Sequence, residues 1–166
     1  MEADVLIIGC GIAGATAALQ LANAGLDVTV ITRAADPVEA NTFYAQGGII
    51  YRSHDDSPEL LAKDILHAGA GHCNPHAVQI LSEEGPPLLK QVLLDRVGVP
   101  FDRFNGDLSL AREGGHTVPR IAHVADATGK AIEIALMRVL QADKRIRLLA
   151  GYTAIDLLTP SHHSLD

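Results

Sequence analysis

Four aliphatic residues, Val5 to Ile8, run straight into a glycine, the pattern of a short strand buried on both faces of a parallel sheet. Small and aliphatic residues then recur at helical spacing, Ala13, Ala17, Ala18, Leu21 and Ala22, and Gly25 supplies a stop. This predicts a helix from Ala13 to Ala24. Val28 to Ile31 reads as the next strand, so strand, glycine turn, helix and strand fit within about thirty residues, the size of a βαβ unit.

Beyond Arg33 the pattern becomes a loop with Asp36-Pro37, then a polar, glycine-bearing segment from Asn41 to Gly48. Ser57-Pro58 is a helix start, serine capping and proline at the first helical position, with Leu61, Ile65 and Ala68 sharing a face up to Gly69. Asn74-Pro75 repeats the signal and predicts a helix through about Ser82. A further helix is expected after Pro86-Pro87, carrying Leu88, Leu89, Val92 and Leu93 until Gly98. Phe101 to Pro119 has no sustained period and reads as extended and loop-rich. Thr128 is expected to cap another helix with the apolar face Ile132, Ala135, Leu136, Val139 and Leu140. Arg145 to Ala150 returns to a strand, and Tyr152 to Leu158 reads as another. The chain stops where a sheet is resuming, so it reads as a piece of a longer protein.

Composition narrows the class. Of the 166 residues 48% are apolar and 20% charged, enough to bury a core. Apolar runs such as Val5 to Ile8 and Ile134 to Met137 fall far short of the roughly 20 residues that span a membrane. The start Met1-Glu2-Ala3-Asp4 is acidic, unlike a secretory leader, which implies a cytoplasmic protein. A formal charge of −7 makes nucleic acid and anionic lipid unlikely partners. Cys10 and Cys73 form neither a disulfide framework nor a zinc motif, and His162-His163 near the chain end reads as a solvated pair, so no metal is expected.

The chemistry begins at Gly9-Cys10-Gly11-Ile12-Ala13-Gly14. The first glycine permits a tight turn, the second lets backbone approach a pyrophosphate, and the third allows close helix–strand packing. Phosphate charge would sit on the N–H groups at the helix start, around Ile12 and Ala13. GxGxxG alone is weak; placed between strand and helix, it favours a dinucleotide site over a structural turn. Cys10 reads as a packing residue. The acid that usually meets the adenosine ribose about 20 residues on is missing. Thr32-Arg33 stands there instead, so either Thr32 supplies a neutral hydrogen bond or Arg33 meets a 2′-phosphate. Glu113, between Arg112 and Gly114-Gly115, is either a solvated loop acid or a carboxylate aimed into a cleft. His116 is either its active-site neighbour or an ordinary loop histidine, and Arg120 is a weaker candidate.

The glycine loop, Asn41-Thr42-Phe43-Tyr44-Ala45-Gln46-Gly47-Gly48, and Arg112-Glu113-Gly114-Gly115-His116 followed by Ala125-Asp126-Ala127-Thr128-Gly129 together resemble the L-aspartate oxidases, within the succinate dehydrogenase and fumarate reductase flavoproteins. The resemblance covers almost the whole chain. It implies that Gly9, Gly11 and Gly14 serve the pyrophosphate of FAD, that Thr32-Arg33 takes the adenosine end, and that Asn41 to Gly48 runs beside the isoalloxazine. It implies FAD over NADP, because the family commonly has Ser-Lys where this chain has Thr-Arg. Succinate dehydrogenases carry a flavin-linking histidine where this chain has Asn41, so noncovalent FAD is expected.

The implied fold is α/β, a Rossmann-like FAD-binding parallel sheet from residues 1–51 and 143–166, incomplete at the carboxyl end. A largely helical insertion, 52–142, carries the active-site loop. The implied reaction oxidises L-aspartate to iminoaspartate with oxygen or fumarate as acceptor, feeding quinolinate and NAD synthesis and suggesting a functional link to quinolinate synthase. Glu113 would face the substrate ammonium. The family's proton-accepting arginine and the residues holding the substrate carboxylates lie beyond position 166, so these 166 residues alone are not expected to turn over aspartate. The alternatives are a fumarate reductase or succinate dehydrogenase flavoprotein piece, and a noncatalytic dinucleotide-binding module.

Overall fold

The computed structural model describes residues 2–158. Two compact units divide the chain, Met1–Asn41 with Leu136–Asp166, and Thr42–Ala135. His162 and His163 lie outside the described residues.

The first unit is built on a parallel three-stranded sheet. Strand β1 (Val5–Ile8) leads through the glycine loop into helix α1 (Ile12–Asn23), and α1 returns to strand β2 (Val28–Thr32). Gly25, at φ +92°, makes the turn between them, a conformation that side chains disfavour. The last strand, labelled β8 (Ile146–Ala150), pairs with the far side of β2, so the order is β1-β2-β8. Val30 is paired with Ile7 on one side and Leu148 on the other. The core comprises Val28 and Val30 of β2 with Ala15, Ala18, Leu19 and Ala22 of α1, all nearly inaccessible.

Two expectations fail in this unit. Strand β1 is not covered on both faces: Leu6 is 58% exposed and Ile8 66%. It pairs only with β2 among the described residues, so alternate side chains stand open. Residues 152–158 form no strand. Tyr152 donates its amide to the Thr32 carbonyl at 3.0 Å, but no neighbouring ladder continues that bond, and Ile155, Leu157 and Leu158 are exposed.

A 3₁₀ turn, Asn41–Tyr44, runs from the last residue of the first unit into the second, and a short strand β3 (Ile49–Ile50) follows. Helix α2 (Pro58–Ala68) starts as its sequence dictates: the Ser57 hydroxyl accepts the Leu60 amide at 3.1 Å, with Pro58 following. Helix α3 (Pro75–Leu89) is capped by Asn74, whose carboxamide oxygen accepts the amides of His76 and Ala77.

Here a third expectation fails, because α3 does not break at Ser82. It runs through Pro86 and Pro87 to Leu89 and continues as a wide π-helical stretch over Lys90–Arg96. Pro86 has no N–H for the Ser82 carbonyl, four residues back. The guanidinium of Arg52 fills the vacancy, Nη2 donating to that carbonyl at 2.7 Å. A tertiary donor thus replaces the missing helical bond. Burial of Pro86, Leu89, Val92 and Leu93 on one side keeps the segment folded.

The expected loop-rich stretch contains a small hairpin, β4 (Arg103–Phe104) with β5 (Asp107–Leu108), then β6 (Leu110–Ala111) and β7 (Ile121–Ala122). Strands β3, β7 and β6 form an antiparallel sheet with β7 central. Helix α4 (Thr128–Ala142) begins in this unit and ends in the first. Thr128 does not cap it as expected; its hydroxyl accepts the upstream amide of Val124 at 3.0 Å. The buried stripe of α4 includes Ile132, Ala135, Leu136 and Leu140 as expected. It also takes Met137 and Glu133, while Val139 is only half-buried.

The tight strand–turn–helix corner is the local feature most sensitive to side-chain volume. A Cβ at Gly14 would collide with the Gly9 carbonyl oxygen and lie 3.2 Å from Ile7 Cγ2. Gly14→Ala is expected to destabilise the protein by about 2 kcal/mol, because backbone rather than a flexible side chain must move. Urea denaturation against wild type checks this; equal midpoints would contradict the packing.

Candidate functional site

In the first unit, the glycine loop and Thr32-Arg33 lie at the carboxyl ends of adjacent parallel strands, where open α/β sheets bind ligands. Gly9, at φ +99°, turns the chain out of β1 and is tied to β2 by its amide, which donates to Ile31 O at 2.8 Å. Gly11 is the N-cap of α1 with extended backbone and contributes no side-chain bond to the first-turn amides; the first turn also carries no acid. The N-cap and first turn of this twelve-residue helix therefore carry no acid of their own to oppose an anion, and Ala13 is exposed. This geometry fits a pyrophosphate. Cys10 is buried, with Sγ donating to Pro37 O at 3.0 Å, so it packs the loop. Thr32 is buried and Arg33 exposed.

In the second unit, Thr42 to Gly48 forms a turn packed on the first turn of α4. The Gly129 amide donates to Ala45 O at 2.9 Å. A Cβ on Gly129 would overlap Thr42 O and lie 2.6 Å from Ala45 O, so only glycine lets the helix approach this closely. Lys130 sets its ammonium 5.5 Å from the Phe43 ring centroid, and Phe43 meets Tyr44 edge to face at 5.3 Å. Tyr44 to Gly48 are exposed, leaving the outer surface of the turn open.

Glu113 and the turn come together: Glu113 Oε1 lies 3.9 Å from where a Gly47 Cβ would be. The loop carrying Glu113 is compact. His116 donates its amide to Glu113 O at 3.2 Å, and Arg112 Nε donates to His116 O at 2.8 Å. His116 Nδ1 is buried without a protein partner. No group of three His, Cys, Asp or Glu side chains among the described residues is arranged for a metal.

Arg120 serves this loop from inside. Its side chain is fully buried, pairing through Nε and Nη2 with both oxygens of Asp56 at 3.0 and 2.9 Å and through Nη1 with Asp64 at 2.7 Å. Asp64 also accepts the Thr117 amide and hydroxyl at 2.8 and 3.0 Å. Burial pushes the Asp64 carboxyl up, but the two Thr117 bonds and the Arg120 guanidinium outweigh it and hold Asp64 below the usual carboxylate range. The cluster ties α2 to the segment that follows His116. Asp64 is legible in the sequence as an acid on the Leu61–Ile65–Ala68 face, a signal that a cation was required there.

Sequence reasoning missed Glu133 altogether. It is 0% exposed on α4, one turn beyond Gly129, and neither carboxylate oxygen has a protein hydrogen bond of proper geometry. Burial pushes its pKa up to about 7; the Thr42 hydroxyl, short of a full bond, acts in the other direction. The available signal was its spacing, four after Gly129, three before Leu136 and seven before Leu140.

The profile of the FAD binding domain family matches residues 4–163, and the chain belongs to that family of flavoprotein domains. FAD is accordingly the cofactor that fits the glycine loop. The sequence is 44% identical over 156 residues to the L-aspartate oxidase of Halobacterium salinarum, covering 94% of this chain and 30% of that protein. It is 42% identical over 158 residues to the chloroplastic L-aspartate oxidase of Oryza sativa, covering 94% of this chain and 24% of that protein. The chain thus spans less than a third of these relatives. Among solved structures it resembles Mycobacterium smegmatis Sdh1 in complex with UQ1, with a TM-score of 0.81 and 30% identity over 91% of this chain and 28% of that one. It also resembles a quinol-fumarate reductase with menaquinol molecules, with a TM-score of 0.82 and 27% identity over 91% and 27% of the two chains.

Arg120→Ala leaves two buried carboxylates without their cation and is expected to destabilise by about 3–5 kcal/mol, read by chemical denaturation; a loss under 1 kcal/mol would refute the clamp. Because the folded Asp64 pKa is depressed, its contribution is present above the unfolded value and is lost as pH falls through the folded one. Glu133 carries the opposite sign. Its folded pKa is raised, so its contribution is complete below the unfolded value near 4.5 and is lost as pH rises toward about 7. Glu133→Gln should therefore stabilise the protein relative to wild type by about 2 kcal/mol more at pH 8 than at pH 4.5, in paired thermal or urea melts; parallel curves at both pH values would refute this.

Proposed function

We propose that the full-length protein carrying this chain oxidises L-aspartate to iminoaspartate with FAD, using oxygen or fumarate as electron acceptor, and so feeds quinolinate and NAD synthesis with a functional link to quinolinate synthase. The observation that carries this reading is the 42–44% identity to L-aspartate oxidases across nearly all of this chain. A cytoplasmic location belongs to the same proposal. So does a division into an FAD-binding domain, residues 1–51 with 143–166, and a helical insertion, 52–142.

Gly9, Gly11 and Gly14, with the amides around Ile12 and Ala13, hold the pyrophosphate. Thr32 and Arg33 meet the adenosine end, Arg33 being the exposed member able to reach a ligand. Asn41 to Gly48 lies along the isoalloxazine. Asn41 has no imidazole to form a carbon–nitrogen link, so the cofactor is held without a covalent bond. FAD, when bound, supplies the two-electron acceptor for the Cα hydride. With the Cα hydride removed and two protons lost from the ammonium, the substrate would become iminoaspartate, with oxygen or fumarate as the final electron acceptor.

Glu113 is the residue we assign to the substrate ammonium. It is exposed on a glycine-rich loop and stands beside Gly47 of the proposed flavin-facing turn, so a cation bound there lies close to the ring. His116 is its neighbour within the same hydrogen-bonded loop, and its buried Nδ1 has no protein hydrogen-bond partner.

The similarity to succinate dehydrogenase and fumarate reductase structures keeps a second reading in play, a dicarboxylate reductase or dehydrogenase. Full-length protein assayed with L-aspartate, succinate and fumarate decides between them. Aspartate-dependent peroxide release, with flavin fully released by heat, is expected; succinate oxidation without aspartate oxidation, or flavin that stays attached after denaturation, would favour the second. In the same assay Glu113→Ala should lower kcat/KM for L-aspartate about 100-fold, mostly through KM, with FAD affinity unchanged. An unchanged KM would remove Glu113 from the substrate site.

A further inference from the structure

The widened helical stretch over Lys90–Arg96 plays no part in the chemistry above, yet it arranges side chains that a regular helix would keep apart. In an α-helix Lys90 and Asp95, five residues apart, would stand roughly 140° from one another around the axis. The i→i+5 spacing of a π-helix stacks them instead, and Lys90 Nζ donates to both Asp95 oxygens at 3.0 and 2.8 Å. Both residues line a cavity of about 590 Å³ that lies wholly within the second unit. That is the size of pocket that holds small organic ligands, about 300–1,000 Å³. Wide turns of this kind recur at functional sites, which directs attention to what else lines the cavity.

Arg52, in the segment that follows β3, is one lining residue, anchored by the bond from Nη2 to Ser82 O. The β4–β5 hairpin adds Arg103 and Asp107, and Arg103 Nη1 donates to Gly106 O at 2.8 Å, which ties its guanidinium to the hairpin turn. Three cationic side chains therefore share the lining with two acids, in a chain whose formal charge is −7. One of those acids, Asp95, is already matched by Lys90. That pair is 57% and 56% exposed, and an ion pair so open to water holds weakly enough for Lys90 to be shared with a dianion. Tyr51 and Leu94 give the cavity a ring and an apolar flank. Ser53 also lines it, and its Oγ is buried without a protein hydrogen-bond partner, as a polar group at a binding wall is and one in a settled core is not.

We propose that this cavity is a small-molecule site, sharing no residue with the glycine loop or the Glu113 loop, and that it takes a phosphate monoester with a hydroxylated, ring-bearing body, the chemistry of a nucleoside monophosphate. Two guanidinium groups and an ammonium suit a phosphate dianion, because planar N–H donors meet its oxygens in pairs while the ammonium adds a point charge. Asp107 explains why the body must carry hydroxyls. A carboxylate in the lining repels a bare anion, but it accepts hydrogen bonds from sugar hydroxyls, which offset that repulsion. Tyr51 offers a face on which a flat base can lie, and Leu94 adds apolar contact beside it. The inference is independent of the assignment of any residue to the flavin.

The experiment is a calorimetric titration of AMP, and separately of inorganic phosphate, into the full-length protein kept in saturating FAD at low ionic strength, for wild type, Arg103→Gln, Lys90→Gln and Asp107→Ala. Arg103, Lys90 and Asp107 are all exposed, so these variants test binding without disturbing a core. Wild type is expected to bind one AMP per chain with the flavin absorbance unchanged, and phosphate more weakly. Arg103→Gln and Lys90→Gln should each weaken AMP about tenfold. Asp107→Ala should lower the ratio of AMP affinity to phosphate affinity about tenfold, since it removes a hydroxyl acceptor and a repulsive charge together. No AMP binding in wild type, or AMP binding that neither cation variant weakens, overturns the inference. So does AMP binding that displaces the flavin, which places the nucleotide at the cofactor site, and so does phosphate binding as tight as that of AMP.

Discussion

One guanidinium organises the second unit. Arg120 is sealed from solvent between Asp56, just ahead of α2, and Asp64, within it, while its own backbone joins β6 and β3 through bonds from its amide and to its carbonyl. A lone buried charge would be prohibitive, and so would a pair of unneutralised acids. The three are tolerable only together, with Thr117 supplying the remaining donors. The loop with Glu113 and His116 leaves β6 and returns through Thr117 into this cluster, so an exposed candidate for substrate contact is anchored at its root by a buried electrostatic knot.

Glu133 is the contrasting case in the same unit. Both Asp64 and Glu133 are removed from water on helix faces, but one has a cation and three bonds and the other has neither. Their carboxyls accordingly move in opposite directions, Asp64 below its usual range and Glu133 up to about 7. Burial alone does not decide a carboxyl's charge; the donors that burial brings along do. The charged acid holds a loop rigidly in place. The one without a partner sits one helical turn beyond Gly129, which packs against the Thr42–Ala45 turn.

The first unit separates cofactor binding from the rest of the chemistry. A strand, a glycine corner and a helix start with no acid in its first turn, the elements of the proposed pyrophosphate site, form within the first 23 residues. The corner lies in a chain that belongs to the FAD binding domain family. Within these 166 residues Leu6 and Ile8 of β1 are exposed.

What the residues determined by themselves was local. Glycine spacing set the turn between β1 and α1, serine and asparagine ahead of proline set the starts of α2 and α3, and the motif from Asn41 to Gly48 with Arg112 to His116 pointed to the flavoprotein family. Each signal lies within a few residues of the feature it encodes. Tertiary structure decided whatever depended on a distant partner. Pro86 and Pro87 lie inside a helix because Arg52, thirty residues before Ser82, supplies the missing bond. Residues 152–158, apolar enough for a strand, form none because a strand exists only against a neighbour. Arg120 is a buried clamp, not a weak active-site candidate, because two acids 64 and 56 residues away converge on it. Glu133 reads as one more helical charge until folding takes away its water and offers no partner in exchange.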